Sequence, residues 1–166
     1  GDDRFDESVI IICDHNKDGA MGLVINSSKS NLEFKNILKE LQIHCNTSKI
    51  INILSGGPVD LERGFILHTN DYKIESTIDI TKSISLTASI DIIKDIAIDK
   101  GPSKIKFTLG YTGWGAGQLE DEIQKNIWLH TSADKSIVFS SNLREIWKKS
   151  VKTLGIDLPY FNSTPG

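Results

Sequence analysis

Gly110 to Trp128 reads GYTGWGAGQLEDEIQKNIW and joins a strand end, a glycine-rich turn, a tryptophan and an acidic helix start in one unit. Glycine at 110, 113, 115 and 117, beside Tyr111 and Trp114, requires a backbone that bends sharply or lets large rings approach closely. Upstream, Lys104 to Tyr111 alternates Ile105, Phe107 and Leu109 with Lys104, Lys106 and Thr108, the period of a half-buried strand. Downstream, a helix is expected from Gln118, and Ile127 to Leu129 reads as a returning strand.

The order strand, glycine turn, helix is the one that binds phosphate in dinucleotide folds. The spacing here is wrong for that chemistry. GxGxxG would need glycine at 118, where Gln118 stands, and no Lys-Ser or Lys-Thr pair follows. Glu120, Asp121 and Glu122 fill the first helical turn, where they complement the helix dipole and repel an anion. The stretch therefore reads as a rigid corner with Trp114 packed on it.

Working outward, Ser8 to Asp14 (SVIIICD) is a continuous run expected as a strand buried on both faces. Asn16 to Gly19 (NKDG) supplies a turn, and Ala20 to Asn26 closes a hairpin. Ser30 and Glu33 have capping-box spacing ahead of a helix with Phe34, Ile37, Leu38 and Leu41 on one face. Ile50 to Leu54 is a short strand ended by the tight turn Ser55-Gly56-Gly57-Pro58. Strands are also expected at 64–69, through Ile74, Ile78 and Ile80, and at 84–86. Isoleucines at 90, 92, 93, 96 and 98 predict a helix packed on more than one side, stopped by Gly101 and Pro102. Ser132 would cap a turn over 133–138. Asn142 and Glu145 cap a last helix with Leu143, Ile146, Trp147, Val151 and Leu154 as its stripe, which Gly155 ends before a tail expected to be poorly ordered beyond Asp157. Hairpins dominate and helices fall irregularly between strand groups, so the fold class is α+β, one domain over 1–166.

Bulk properties exclude several classes. The 166 residues, 39% hydrophobic and 25% charged, suit one ordinary domain with a core of its own. A net charge of -3 with dispersed lysines does not support DNA binding. Cys13 and Cys45 form no CxxC pair and are expected as buried thiols. No apolar run reaches the roughly 20 residues of a membrane span, and no signal peptide opens the chain, so a cytoplasmic protein is expected. Met21 is the only methionine, so the sequence does not open on an initiator residue and further residues upstream of Gly1 are expected.

Candidate chemistry is sparse. Glu120 and Glu122, two apart on a helix, point to different faces and read as a solvated helix start. His15 and His68 end strands, where site residues gather, but no histidine pair has metal-ligand spacing, and hydrogen-bonded structural roles are expected. Ser55 lacks the nucleophile elbow because position 53 is isoleucine, and a buried Cys13 is a poor nucleophile. Lys148 and Lys149 read as a solvated helix face. No catalytic residue, metal or cofactor is assigned.

Three segments, RFDESVIIICDHNKDGAMGLVIN (4–26), SGGPVDLERGFILHT (55–69) and GYTGWGAGQLEDEIQKNIW (110–128), closely resemble the YqgE/AlgH family of bacterial proteins, in the family's order. The resemblance implies an α+β domain whose bent, mostly antiparallel sheet forms a partial barrel with about four helices around it. It also implies a further apolar segment ahead of Arg4 and Phe5, so that one strand is expected to be missing and a sheet edge exposed. Members carry the label of transcriptional regulators, although no helix-turn-helix pattern supports it here. The expected function is that of a non-enzymatic binding or regulatory protein with an unidentified small-molecule or protein partner. Its surface would unite His15, Asn16, Asn26, Gly56, Gly57, Pro58, Arg63, His68, Trp114 and Gln118, which lie at turns and strand ends of the three segments. The alternative is an enzyme on a small or nucleotide-like ligand, with His15 or His68 as acid/base and Arg63 orienting an anion.

Overall fold

The structure, a computed structural model, describes residues 7–154. Its spine is β8 (Ile105–Gly115), which carries the Lys104 to Tyr111 alternation and runs on into the glycine corner. On one side β8 pairs antiparallel with β5 (Val59–Thr69). Its other side is shared at two levels: parallel with β4 (Asn52–Ser55) at 107–109, and antiparallel with β2 (Gly19–Val24) at 112–115. The sheet order is β1-β2-β8-β5-β7-β6, where β1 is Ile10–Asn16, β6 is Ile78–Asp79 and β7 is Ile84–Thr87. A short β3 (Ser28–Glu33) pairs with β4. The result is a curled, mostly antiparallel half-barrel in a single α+β fold, with five helices among the described residues.

Alternation along the central strands builds two cores. Phe65 and Leu67 of β5 face one cluster with Ile11, Leu23 and Ile25, covered by Val138 of α4 (Lys135–Val138) and Ile146 of α5 (Leu143–Thr153). Ile66 and Phe107 face a second cluster with Phe34 and Leu38 of α1 (Phe34–Glu40) and Ile92, Ile96 and Ala97 of α2 (Ile90–Ala97). Helices on both faces explain why β8 is not half-exposed: Lys106 and Thr108, expected outside, are buried. Lys106 Nζ donates to the Ser140 carbonyl at 2.8 Å, and burial pushes its amine down to about 8.

Other expectations are corrected by tertiary packing. β1 is an edge strand in which Ile11 is the buried residue, because no strand lies beyond it among the described residues. Ser28 to Glu33 pairs as a strand, so Glu33 takes the N-cap of α1 and completes the capping box with Asn36. Of the expected strand through Ile74, Ile78 and Ile80, two residues pair, and the approach to them is turns. Ile127 to Leu129 is irregular rather than a strand, and Asp134 rather than Ser132 caps α4. Helix α2 buries one face and leaves Ile90 and Ile98 exposed. Cys45 is exposed, and Cys13 is half-buried, with burial pushing its thiol up to about 12. Gly155 and the tail beyond Asp157 lie outside the described residues. No helix among those residues is long and apolar enough to cross a membrane.

Candidate functional site

β8 serves as a ruler for the expected site residues. His68 pairs with Ile105 and Gly64 with Leu109, while Ala20, the partner of His15, pairs with Trp114. From Ile105 to Trp114 the strand advances about 30 Å at ordinary strand rise. The ten residues therefore fall at separate levels and do not share one pocket. His15, Asn16, Trp114 and Gln118 gather at the end of β8 that leads into α3 (Gln118–Gln124).

Gly56, Gly57 and Pro58 sit midway. Gly56 N–H donates to the Leu109 carbonyl at 2.8 Å, and Gly57, at φ 151°, lies so close to the Tyr111 backbone that a Cβ there would come within 2.3 Å of it. These glycines let two backbones meet. Arg63 is exposed, its guanidinium 5.1 Å from the centre of the Phe65 ring. His68 is fully buried, with Nε2 2.8 Å from Thr87 Oγ1 and Nδ1 2.8 Å from the Thr69 carbonyl. Burial holds its pKa below the usual histidine value, a structural setting with both ring nitrogens satisfied. Asn26 clasps the start of β1, accepting from Val9 N–H and donating to the Glu7 carbonyl, both at 2.9 Å.

At the open end, His15 Nε2 lies 2.7 Å from Glu120 Oε1, with the two side chains 42% and 51% exposed. The hydrogen bond from His15 holds the Glu120 carboxyl below its usual range. Asn16 Oδ1 accepts from Asp18 N–H at 2.8 Å and shapes the β1–β2 turn. Gln118 accepts from Gly115 N–H and donates to Glu122 Oε2, each at 2.9 Å. Glu122 Oε1 also accepts from the indole N–H of Trp114 at 3.3 Å and of Trp128 at 2.9 Å. The two indoles meet edge to face with centroids 6.1 Å apart. Glu120 and Glu122 do point to different faces, yet Glu122 is a clamp on two tryptophans rather than a solvated charge. The readable signal was a carboxylate flanked by two indoles in one short stretch, each needing an acceptor when packed.

Behind this clamp runs a groove of about 1080 Å³. Glu7 to Ile12 form one wall and Asn126 to Asp134 the other, with Leu119 and Ile123 of α3 and Trp147 and Val151 of α5 completing it. The cavity touches Glu7 to Val9, which lead into β1, and Ile10 to Ile12 at its start. Of the ten expected residues, Trp114 lines it. No group of carboxylate, histidine or cysteine side chains among the described residues is arranged to hold a metal. Three indoles line this one groove, with the rest of its wall drawn mainly from apolar and hydroxyl side chains.

Comparison with known proteins is consistent throughout the chain. A family model described as AlgH-like matches residues 1–159. A UPF0301 protein of Afipia carboxidovorans is 42% identical over 174 residues, covering 99% of this chain and 83% of that protein. Another, of Ruegeria pomeroyi, is 42% identical and covers 100% and 91%. The solution structure of the AlgH protein from Pseudomonas aeruginosa superposes with a TM-score of 0.82 at 36% identity, over 100% of this chain and 88% of that one. A crystal structure from Corynebacterium diphtheriae, at TM-score 0.74 and 18% identity over 95% and 82%, shares the fold.

Proposed function

This chain belongs to the AlgH-like family, and from that premise we propose a non-enzymatic binding protein with a regulatory role, whose ligand site is the groove along β1. The observation that carries this reading is that all three tryptophans of the chain, Trp114, Trp128 and Trp147, line that one groove. Large rings cost little rotamer entropy to order and supply much apolar area, and binding sites are concave and mainly apolar with a few placed polar groups. Placing His15, Arg63 and His68 at three levels of β8, with His68 sealed in the core, weighs against an acid/base site built from them. A groove lined by Glu7 and Asp134 and, among the described residues, by no lysine or arginine suits nucleic acid poorly. A cytoplasmic setting fits the free thiols of Cys13 and Cys45.

Intrinsic fluorescence tests the reading, because every indole reports on the groove. Titration with the neutral apolar dye Nile red should give saturable energy transfer from tryptophan, and Ser132→Phe, which fills the groove from its irregular wall, should weaken it about tenfold. Dye emission no greater than in buffer, or unchanged by Ser132→Phe, would overturn it. A nucleotide, metal or phosphosugar raising stability by roughly 2.7 kcal/mol at a hundred times its Kd would favour an enzyme instead.

A further inference from the structure

We infer that Lys106 is a modification site of this chain, an amine that a small acyl phosphate acylates through the link between α4 and α5. Lys106 stands on β8 outside the groove, so the site is independent of the binding reading above.

The placement of this lysine is the first observation. Lys106 pairs with Leu67 of β5, whose side chain lies in the cluster covered by Val138 of α4 and Ile146 of α5. Directly paired residues share a sheet face, so the Lys106 stem enters under the same cover. Lys106 is 8% exposed, and its Nζ donates to the Ser140 carbonyl, 2.8 Å away in the link 139–142. In that link Ser140 is half-buried and Ser141 exposed. A buried stem therefore delivers its nitrogen to the boundary between core and water.

The second observation is what the amine lacks. Among the described residues the Ser140 carbonyl is its acceptor and no carboxylate lies within ion-pair distance, whereas Lys35, Lys73, Lys125 and Lys148 each have one. An ammonium has three donors and needs a counter-charge when it leaves water; a neutral amine has two donors and a lone pair. Burial favours the neutral form and pushes the amine from the ordinary 10.5 down to about 8. At pH 7 roughly one molecule in ten then carries a free lone pair, against fewer than about one in a thousand for an amine at 10.5.

Acyl transfer needs such an amine. The lone pair attacks the acyl carbon, the N–C bond forms as the C–O bond to phosphate breaks, and phosphate leaves with the electron pair and takes up the amine proton. The product is a neutral amide whose N–H still donates to the Ser140 carbonyl, so a poorly compensated charge is exchanged for a satisfied group. Lys106 is so nearly covered that a small donor fits better than a bulky thioester.

Acetyl phosphate added to the full chain at pH 7, with early products mapped by peptide mass spectrometry, tests this. Lys106 should be acetylated about tenfold faster than the exposed Lys49 and Lys100, the gain in neutral amine outweighing its cover. In urea sufficient to unfold the chain the three rates should become equal. Ser141→Phe, which puts bulk at an exposed position of the link, should slow Lys106 and leave Lys49 and Lys100 unchanged. A Lys106 rate at or below those of the two exposed lysines, a preference that survives in urea, or an unchanged Lys106 rate in Ser141→Phe overturns the inference.

Discussion

The two histidines that end strands, His68 and His15, sit at opposite ends of β8 and have opposite fates. His68 is sealed between β5 and β7, with both ring nitrogens partnered and its neutral form favoured. His15 stands half in water against Glu120, at the rim of the corner that holds the groove's tryptophans. Local sequence is alike, a polar residue ending an apolar run. What differs is how many layers cover the site, and coverage decides whether a histidine braces a core or borders a surface.

The sharpest way to break the contrast is Trp114→Ala, which removes a side chain that is 7% exposed at the open end. It should cost about 3–5 kcal/mol, read as a fall in the urea midpoint, and should also abolish Nile red binding. A smaller loss would mean that the open end contributes less to the core than its burial implies.

Thr87→Val probes the closed end. It strips the partner from His68 Nε2 and should cost about 1–3 kcal/mol by leaving a buried nitrogen unpaired. The sign of the pH effect follows from the lowered folded pKa. The unfolded state takes up its proton first, so the stability due to neutral His68 is whole above the ordinary value of 6.5 and declines as pH falls below it. Stability measured from pH 8 to 5 in the wild type and in His68→Asn should diverge across that range; parallel curves would remove His68 as a source.

Glu122→Leu should remove the acceptor that both indole N–H groups share, costing about 1–2 kcal/mol and shifting tryptophan emission, because Trp128 ties the irregular wall to α3 through it. Retention of wild-type emission would show that the wall is held by other contacts. The smallest effect belongs to Glu120→Gln. Its exposed pair with His15 should change melting temperature by no more than replicate scatter at physiological salt. Any contribution of Glu120 is present above the ordinary glutamate value of 4.5 and is lost as pH falls through its lowered folded value.

Much of the fold was legible because its signals are local. The β1–β2 hairpin, the strand at β8, the helix starting at Gln118 and the asparagine cap of α5 follow from period, turn residues and capping chemistry that act within a few residues. The errors have one cause. Alternation predicts Lys106 outside and an apolar run predicts β1 inside, but neither says which strand ends a sheet or which face a distant helix covers. The groove was illegible for the same reason: its walls, at 7–12 and 126–134, are joined only by the closure of the half-barrel.

By itself, then, the sequence determined the family, the α+β class and the rigid corner from Gly110 to Trp128, since glycine conformation, apolar period and charge at a helix start are properties of neighbouring residues. The tertiary structure alone decided that the corner's tryptophans line one groove beside the start of β1, that Glu122 locks them together, and that His68 never meets His15. Those outcomes depend on strand order and on which surfaces exclude water, quantities set by contacts between residues far apart in the chain.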